Sequence, residues 1–337
     1  MKFMKYSIYI VVTLLMIIGC SQSKNLIDTD NSFAKENYLA NKTGAVLPVD
    51  YKFVNKKSFK VLTWNVEHFV DAFDNPYINS KRENNPDSLM SNKVAYLADA
   101  LTKINADVVV LQEFESASFL KNIAATKLQN MGYKYFADIP SHGWYMNVVV
   151  MSKVPLGVIY GYGNVTTPVL NYKDENGLAQ TQNNLNTRMW SIEVYPSKNY
   201  NFLLTGVHLK AGRGERNIAM RKGQINFLKQ QFKRFLKEDK NKNIMVLGDF
   251  NSVQNSEEIN MFLNEKVKKE RFIDPLPKNI MTHNSKDPKR RLDYILINTN
   301  MFKEYIQKSA SVPQLYNAHK MSIISGHLPV VAKFNIN

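Results

Sequence analysis

Between Phe59 and Phe334, short runs of Val, Ile and Leu bounded by Gly, Asn or Asp alternate with longer stretches of helical period. The runs predict buried strands at Lys60–Asn65, Val108–Gln112, Asn147–Ser152, Arg188–Tyr195, Asn201–His208, Asn243–Leu247, Leu292–Ile297 and Val330–Phe334. The periodic stretches predict helices at Ser91–Ile104, Ser116–Met131, Glu215–Lys237 and Ser256–Leu263, the third with the strongest amphipathic pattern. Alternation of this kind, with several hairpins among the strands, predicts a layered α/β domain whose mixed sheets pack together between helices. Asp71–Met90 and Tyr160–Thr187 fit neither period and are rich in Asn, Asp, Pro and Gly, so they read as long loops of the sort that often carries function. No internal repeat and no second domain boundary is visible.

The first residues follow a different rule. Lys2 and Lys5 precede an apolar run of 11 residues from Ile8 to Ile18, which ends in Gly19-Cys20 and gives way to polar residues. A spanning helix needs roughly 20 apolar residues, so this is the pattern of an export signal. Met16-Ile17-Ile18-Gly19-Cys20 resembles a bacterial lipobox, in which the cysteine is lipidated and becomes the first residue of the mature chain. The chain has a single cysteine, and it falls here. The expectation is a signal peptide over 1–19, a lipidated Cys20 with a flexible polar tether over 20–58, a folded domain over 59–337, and a lipid-anchored place at the cell envelope.

Composition narrows the chemistry. At 44% hydrophobic and 11% aromatic over 337 residues the chain buries a full core, which excludes disorder. One cysteine excludes an internal disulfide and any cysteine-based zinc cluster, so a metal would be held by oxygen and imidazole. Forty-four basic residues against 29 acidic give +15, and removing residues 1–19 takes away only Lys2 and Lys5, leaving +13. Such a balance favours a polyanionic partner, nucleic acid or an anionic membrane face.

Polar residues recur where the apolar runs end. Asn65 closes Val61-Leu62-Thr63-Trp64, Glu113 follows Val108-Val109-Val110-Leu111-Gln112, and Asp249 and Asn251 follow Ile244-Met245-Val246-Leu247-Gly248. Asp293 opens Tyr294-Ile295-Leu296-Ile297, while His208 and His327 stand beside Val207 and Leu328. Carboxylate and amide oxygens suit Mg2+, Mn2+ or Ca2+, and a neutral imidazole oriented by a carboxylate can exchange protons with water. Taken singly, each residue also fits a bland role: a loop start, an Asx turn, a structural histidine. Their order, each attached to an apolar strand, points to one site.

The motifs TWNVEHF (63–69), LQEFES (111–116), VHLKAG (207–212), GDFN (248–251), LDYIL (292–296) and SGHLPV (325–330) together resemble the endonuclease/exonuclease/phosphatase superfamily, and the resemblance covers Phe59 to Phe334. That superfamily includes pancreatic deoxyribonuclease, apurinic endonucleases, neutral sphingomyelinases and inositol-phosphate phosphatases. The resemblance implies a four-layered α/β sandwich of the deoxyribonuclease-I-like type, two mixed β-sheets packed face to face and flanked by helices. It further implies that Asn65 and Glu113 hold Mg2+, that Asp249 and Asn251 bind metal or phosphate and position the attacking water, and that His327 and Asp293 form an acid/base pair. His208 would hydrogen-bond a phosphate oxygen, and Arg188 stands where some members place a phosphate-contacting arginine.

Two positions depart from the superfamily pattern. Gly326 stands where the closing motif has an aspartate, which removes a negative charge from the expected cage and implies weaker metal binding. His68 stands where relatives often have Asn, either as a polar group beside the cage or as an ordinary loop residue. The functional expectation is a divalent-metal phosphodiesterase, an envelope-tethered nuclease acting on DNA or RNA. The basic residues Lys210, Arg213, Arg216, Arg221, Lys222, Lys229, Lys233 and Arg234 offer a face for a phosphate backbone, or simply a solvated helix. A sphingomyelinase-like or small-phosphoester hydrolase is the alternative within the superfamily, and a non-catalytic polyanion-binding lipoprotein the alternative outside it.

Overall fold

The computed structural model describes residues 52–336 apart from 87, 142, 186 and 187, so the expected leader, Cys20 and most of the tether lie outside the described residues. In chain order the strands are β1 (Ser58–Phe69), β2 (Val108–Phe114), β3 (Tyr135–Asp138), β4 (Asn147–Ser152), β5 (Leu156–Gly161), β6 (Thr167–Lys173), β7 (Ala179–Gln182), β8 (Met189–Ser197), β9 (Tyr200–His208), β10 (Ile244–Asp249), β11 (Phe272–Ile273), β12 (Asp293–Asn298) and β13 (Val330–Asn335). The helices are α1 (Lys81–Asn84), α2 (Met90–Ile104), α3 (Ala117–Lys127), α4 (Glu215–Glu238), α5 (Glu257–Leu263) and α6 (Ala318–Ile324). Among the described residues no helix is long and apolar enough to cross a membrane.

Two mixed sheets form the body: β13-β1-β2-β4-β3 and β11-β12-β10-β9-β8-β5. Strand alternation builds the layers. Val61, Val108, Val110, Val148 and Val150 of the first sheet face Trp190, Ile192, Leu204, Met245, Leu247 and Ile295 of the second in one buried cluster. Their neighbours Leu62, Val109, Leu111 and Val149 point the other way, onto Leu97, Leu101, Leu120 and Ile324 of α2, α3 and α6. Leu203, Ile244, Val246 and Leu296 likewise meet Ile225, Leu228 and Phe232 of α4 and Ile259 and Phe262 of α5. Period-2 strands with apolar residues on both faces are buried on both faces, which gives helix, sheet, sheet and helix in that order. This is the predicted four-layered sandwich.

The structure corrects the reading of Tyr160–Thr187 as loop. Thr167–Lys173 and Ala179–Gln182 pair as a separate antiparallel hairpin packed against α4. Its strands are too polar and exposed to print an apolar alternation. Strand β1 also runs four residues past Asn65, through a register shift against β2 between Asn65 and Phe69.

Candidate active site

The parallel pairs β1/β2 and β9/β10 deliver their C-terminal ends to one edge of the sandwich. Registry places the polar residues: Asn65 lies opposite Gln112, one residue before Glu113, and Asp249 lies opposite His208 on one side and Asp293 on the other. Position 248 must be glycine, because its φ is +140° and an added Cβ would lie 1.9 Å from the Val207 carbonyl.

The amide of Asn65 joins the two sheets. Its Nδ2 donates to Glu113 Oε1 at 3.2 Å and to Asp249 Oδ2 at 3.0 Å. Asn251 folds back on Asp249, donating its backbone N–H to Oδ1 at 2.8 Å and its Nδ2 to Oδ2 at 3.3 Å and to the Leu209 carbonyl at 3.0 Å. His208 presents Nε2 at 3.6 Å from Glu113 Oε1 and 3.9 Å from Asp249 Oδ2. Asp293 holds His327 Nδ1 at 2.9 Å, which leaves Nε2 3.8 Å from Asp249 Oδ2. Two further bonds fix this wall: Trp64 Nε1 donates to the His327 carbonyl at 2.9 Å, and Ser325 Oγ donates to the Asn65 carbonyl at 2.7 Å.

All seven expected cage residues therefore converge. Arg188 borders them: burial lowers its pKa while Glu113 and Asp249 act to raise it, and its side chain lines a cleft of about 670 Å3 with Trp144, Gln182, Lys210 and Gln224. His68 also belongs to the site. Its backbone N–H donates to Glu113 Oε2 at 3.2 Å, its Nε2 lies 3.7 Å from the same oxygen, and Nδ1 meets the Tyr145 hydroxyl at 2.9 Å.

Burial sets the electrostatics. It pushes Asp249 up to about 7, helped by Asp293 and opposed by His327, the Asn251 N–H and the Asn65 amide. Burial drives His208 down to about 4, so this ring is neutral at ordinary pH. For His327 burial acts downward, but Asp293 and Asp249 outweigh it and raise the ring to about 10. A buried acid that prefers to keep its proton, joined to the Glu113 carboxylate through the Asn65 amide and grouped with Asp293 and His327, fits a hard divalent cation, which would return Asp249 to its anionic form.

Two features were not legible in the sequence. Glu67, inside the first motif, reaches Gly326: a Cβ built at 326 would lie 2.7 Å from Glu67 Oε1. His283 stacks edge-on against His327 with ring centroids 4.6 Å apart. No spacing rule marks His283, which arrives by a bridge to His327. The basic helix is also corrected. Arg221 is buried on Glu258 at 2.8 Å, and Lys222, Lys229 and Lys233 pair with Glu257, Glu265 and Glu270 at 2.6, 2.6 and 3.2 Å. Half of the basic residues singled out between 210 and 234 are thus matched by acids of this same chain.

The sequence matches the model of the Endonuclease/Exonuclease/phosphatase family over residues 62–311, and the chain belongs to that family, whose members hydrolyse phosphoester bonds and generally use divalent metals. No curated protein matches the sequence. The fold is similar to the human Nocturnin catalytic domain with bound sulfate, at 15% identity and TM-score 0.53, covering 85% of this chain and 98% of that one. It is similar to an endonuclease/exonuclease/phosphatase from Bacteroides vulgatus, at 14% identity and TM-score 0.52 with 84% and 100% covered. Truncated Caenorhabditis elegans TDP2 is similar at 15% identity and TM-score 0.52 with 83% and 98% covered.

Proposed function

We propose that the protein is a divalent-cation-dependent phosphodiesterase acting on nucleic acid. The observation that carries this reading is Asp249 Oδ2: it receives the Asn65 amide that also binds Glu113, and it faces Nε2 of the His327 that Asp293 holds. Asn65, Glu113, Asp249 and Asn251 would hold Mg2+ or Mn2+. A bound cation there supplies Lewis-acid polarisation of a phosphoryl oxygen. The chain's own residues do the rest. Asp249 and Asn251 position the attacking water, and the Asp249 carboxylate accepts its proton. His327, held as an imidazolium by Asp293, donates its Nε2 proton to the leaving oxygen, and the neutral His208 donates to a non-bridging oxygen.

Support for a nucleic-acid substrate is the net charge and the cleft beside the cage, where Arg188 and Lys210 offer cations and Gln182 and Gln224 offer amides. The test is a panel of DNA, RNA, abasic duplex, sphingomyelin and inositol phosphates, each with Mg2+, Mn2+, Ca2+ and EDTA. Cleavage of DNA or RNA that EDTA abolishes is expected. Turnover confined to sphingomyelin or inositol phosphates, or polyanion binding with no turnover, would overturn the reading. The proposal includes tethering at the cell envelope through a lipidated Cys20 after removal of residues 1–19. Cys20→Ser should release the protein from the membrane fraction or leave it unprocessed, and a mature wild type with no acyl mass would refute the anchor.

A further inference from the structure

Gly326 is a small residue for a reason of space. Its φ lies outside the left-handed region, so no backbone constraint demands glycine there. What it lacks is room: the three atoms nearest a Cβ at this position all belong to the Glu67 carboxylate, at 2.7, 3.4 and 3.5 Å.

The Glu67 carboxylate is delivered there at a conformational cost. Among the described residues nine non-glycines have positive φ; five are Asn, which tolerates it, and three of the other four are Glu67 (46°), His68 (50°) and Glu113 (57°). Two consecutive left-handed residues form the bulge that carries β1 beyond Asn65. Other groups hold it in place. Lys93 Nζ, from α2, donates to the Val66 and Glu67 carbonyls at 3.2 and 2.6 Å, and the Glu67 N–H donates to Asn65 Oδ1 at 3.0 Å. Strain sustained in this way by surrounding bonds clusters at functional sites.

The end of the side chain meets imidazoles. Glu67, His283 and His327 each place one ligand-capable atom within 4.8 Å of the others. Arg290 Nη2 lies 2.9 Å from His283 Nδ1, and a guanidinium can only donate, so that nitrogen is an acceptor. The ring proton of a neutral His283 therefore sits on Nε2, which makes the ring a donor rather than a ligand. Glu67 is the anion of the three, and it adds to the field of Asp293 and Asp249 at His327.

We propose that Glu67 is a carboxylate of the divalent-cation site, supplied from the bulge of β1 in place of a side chain at position 326, and that residue 326 is glycine so that Glu67 can occupy that space. The cage thereby keeps a negative charge in place of the one that Gly326 removes. This inference rests on the cation site of the proposed function, and its test reads binding as well as turnover.

Mn2+ binding to the full folded domain is measured by electron paramagnetic resonance and calorimetry, with melting temperatures in EDTA as the folding control. Glu67→Gln should weaken Mn2+ binding by about tenfold or more. Gly326→Ala should do the same, because its methyl group displaces the carboxylate without replacing it. The double variant Glu67→Ala/Gly326→Asp should bind more tightly than either single variant, returning toward wild type. Glu113→Gln is the reference: if it weakens Mn2+ binding while Glu67→Gln leaves it unchanged, the role of Glu67 is refuted and the cation site stands. Should Glu113→Gln also leave binding unchanged, the cation site itself falls. A folded double variant that regains no affinity over the Glu67 single variant would equally overturn the exchange between 67 and 326.

Discussion

Arg221→Ala should be among the most damaging single substitutions in the protein although Arg221 lies outside the cage. Arg221 is 3% exposed and Glu258 4%. Its Nε and Nη2 donate to Glu258 Oε1 at 3.0 and 2.8 Å, and its Nη1 donates to the carbonyls of Lys210 and Gly212 at 2.9 and 2.6 Å. The substitution leaves Glu258 buried beside Ser252 Oγ, at 3.3 Å, and leaves two carbonyls without this donor. Breaking a buried pair from one side costs about 3–5 kcal/mol. At about 2–4 °C per kcal/mol for a domain near this size, the melting temperature should fall by roughly 6–20 °C. Thermal unfolding by circular dichroism gives the number. The paired substitution Arg221→Met/Glu258→Leu should recover most of the loss, because it removes the stranded charge as well. The freed carbonyls belong to the segment that follows His208 and carries Lys210 to the cleft. KM for a chromogenic phosphodiester should therefore rise in Arg221→Ala at temperatures where it remains folded. A loss below about 1 kcal/mol, the range of an exposed pair, would show that this arginine is solvated and that the account of the helix is wrong.

Glu113→Gln and Asp249→Asn should each lower cation-dependent turnover by about a hundredfold or more with unchanged circular dichroism, and either variant at full activity would remove that residue from the site. His327→Ala and Asp293→Ala should each cost about a hundredfold to ten-thousandfold, with the double variant little worse than either, since the two act as one unit; fully additive losses would mean that they act separately. In EDTA the His327 ring should titrate at about 10 by NMR, because Asp293 and Asp249 overcome the burial that acts to lower it. A folded pKa above the unfolded value of about 6.5 gives stabilisation that is complete below about 6.5 and lost as pH rises toward 10, so the cation-free protein should melt progressively lower across that window. A ring midpoint below about 7 would contradict the Asp293 pairing.

What the sequence displays depends on how much of an element's environment is apolar. Strands β2, β4, β10 and β12 are buried on both faces and print as apolar runs, and β9 prints Phe202-Leu203-Leu204 and Val207 around Thr205 and Gly206, so their ends, and hence Glu113, His208, Asp249 and Asp293, could be placed from the sequence. The β6–β7 hairpin leaves Pro168, Asn171 and Lys173 exposed and shows no such run. Strand β1 looked finished at Asn65 because Glu67 and His68 interrupt its alternation. The polar pair is where the strand bulges rather than where it ends. The charge of α4 misled for a related reason: its partners Glu257, Glu258, Glu265 and Glu270 are distant in sequence, and composition does not reveal which charges meet.

The Asn65 amide has a consequence for where damaging variation can arise. One side chain on the first sheet grips Glu113 beside it and Asp249 on the second, so the catalytic geometry measures how the two sheets are registered against each other. Misalignment of a fraction of an ångström would leave both sheets folded and the amide unable to span both carboxylates. Residues such as Val110, Val148, Leu204 and Leu247, which fill the layer between the sheets and touch no substrate, thereby come under selection for chemistry as much as for stability. Conservative exchanges there, an Ile for a Val or a Met for a Leu, become a route by which natural variants can drift in rate while their melting points stay put.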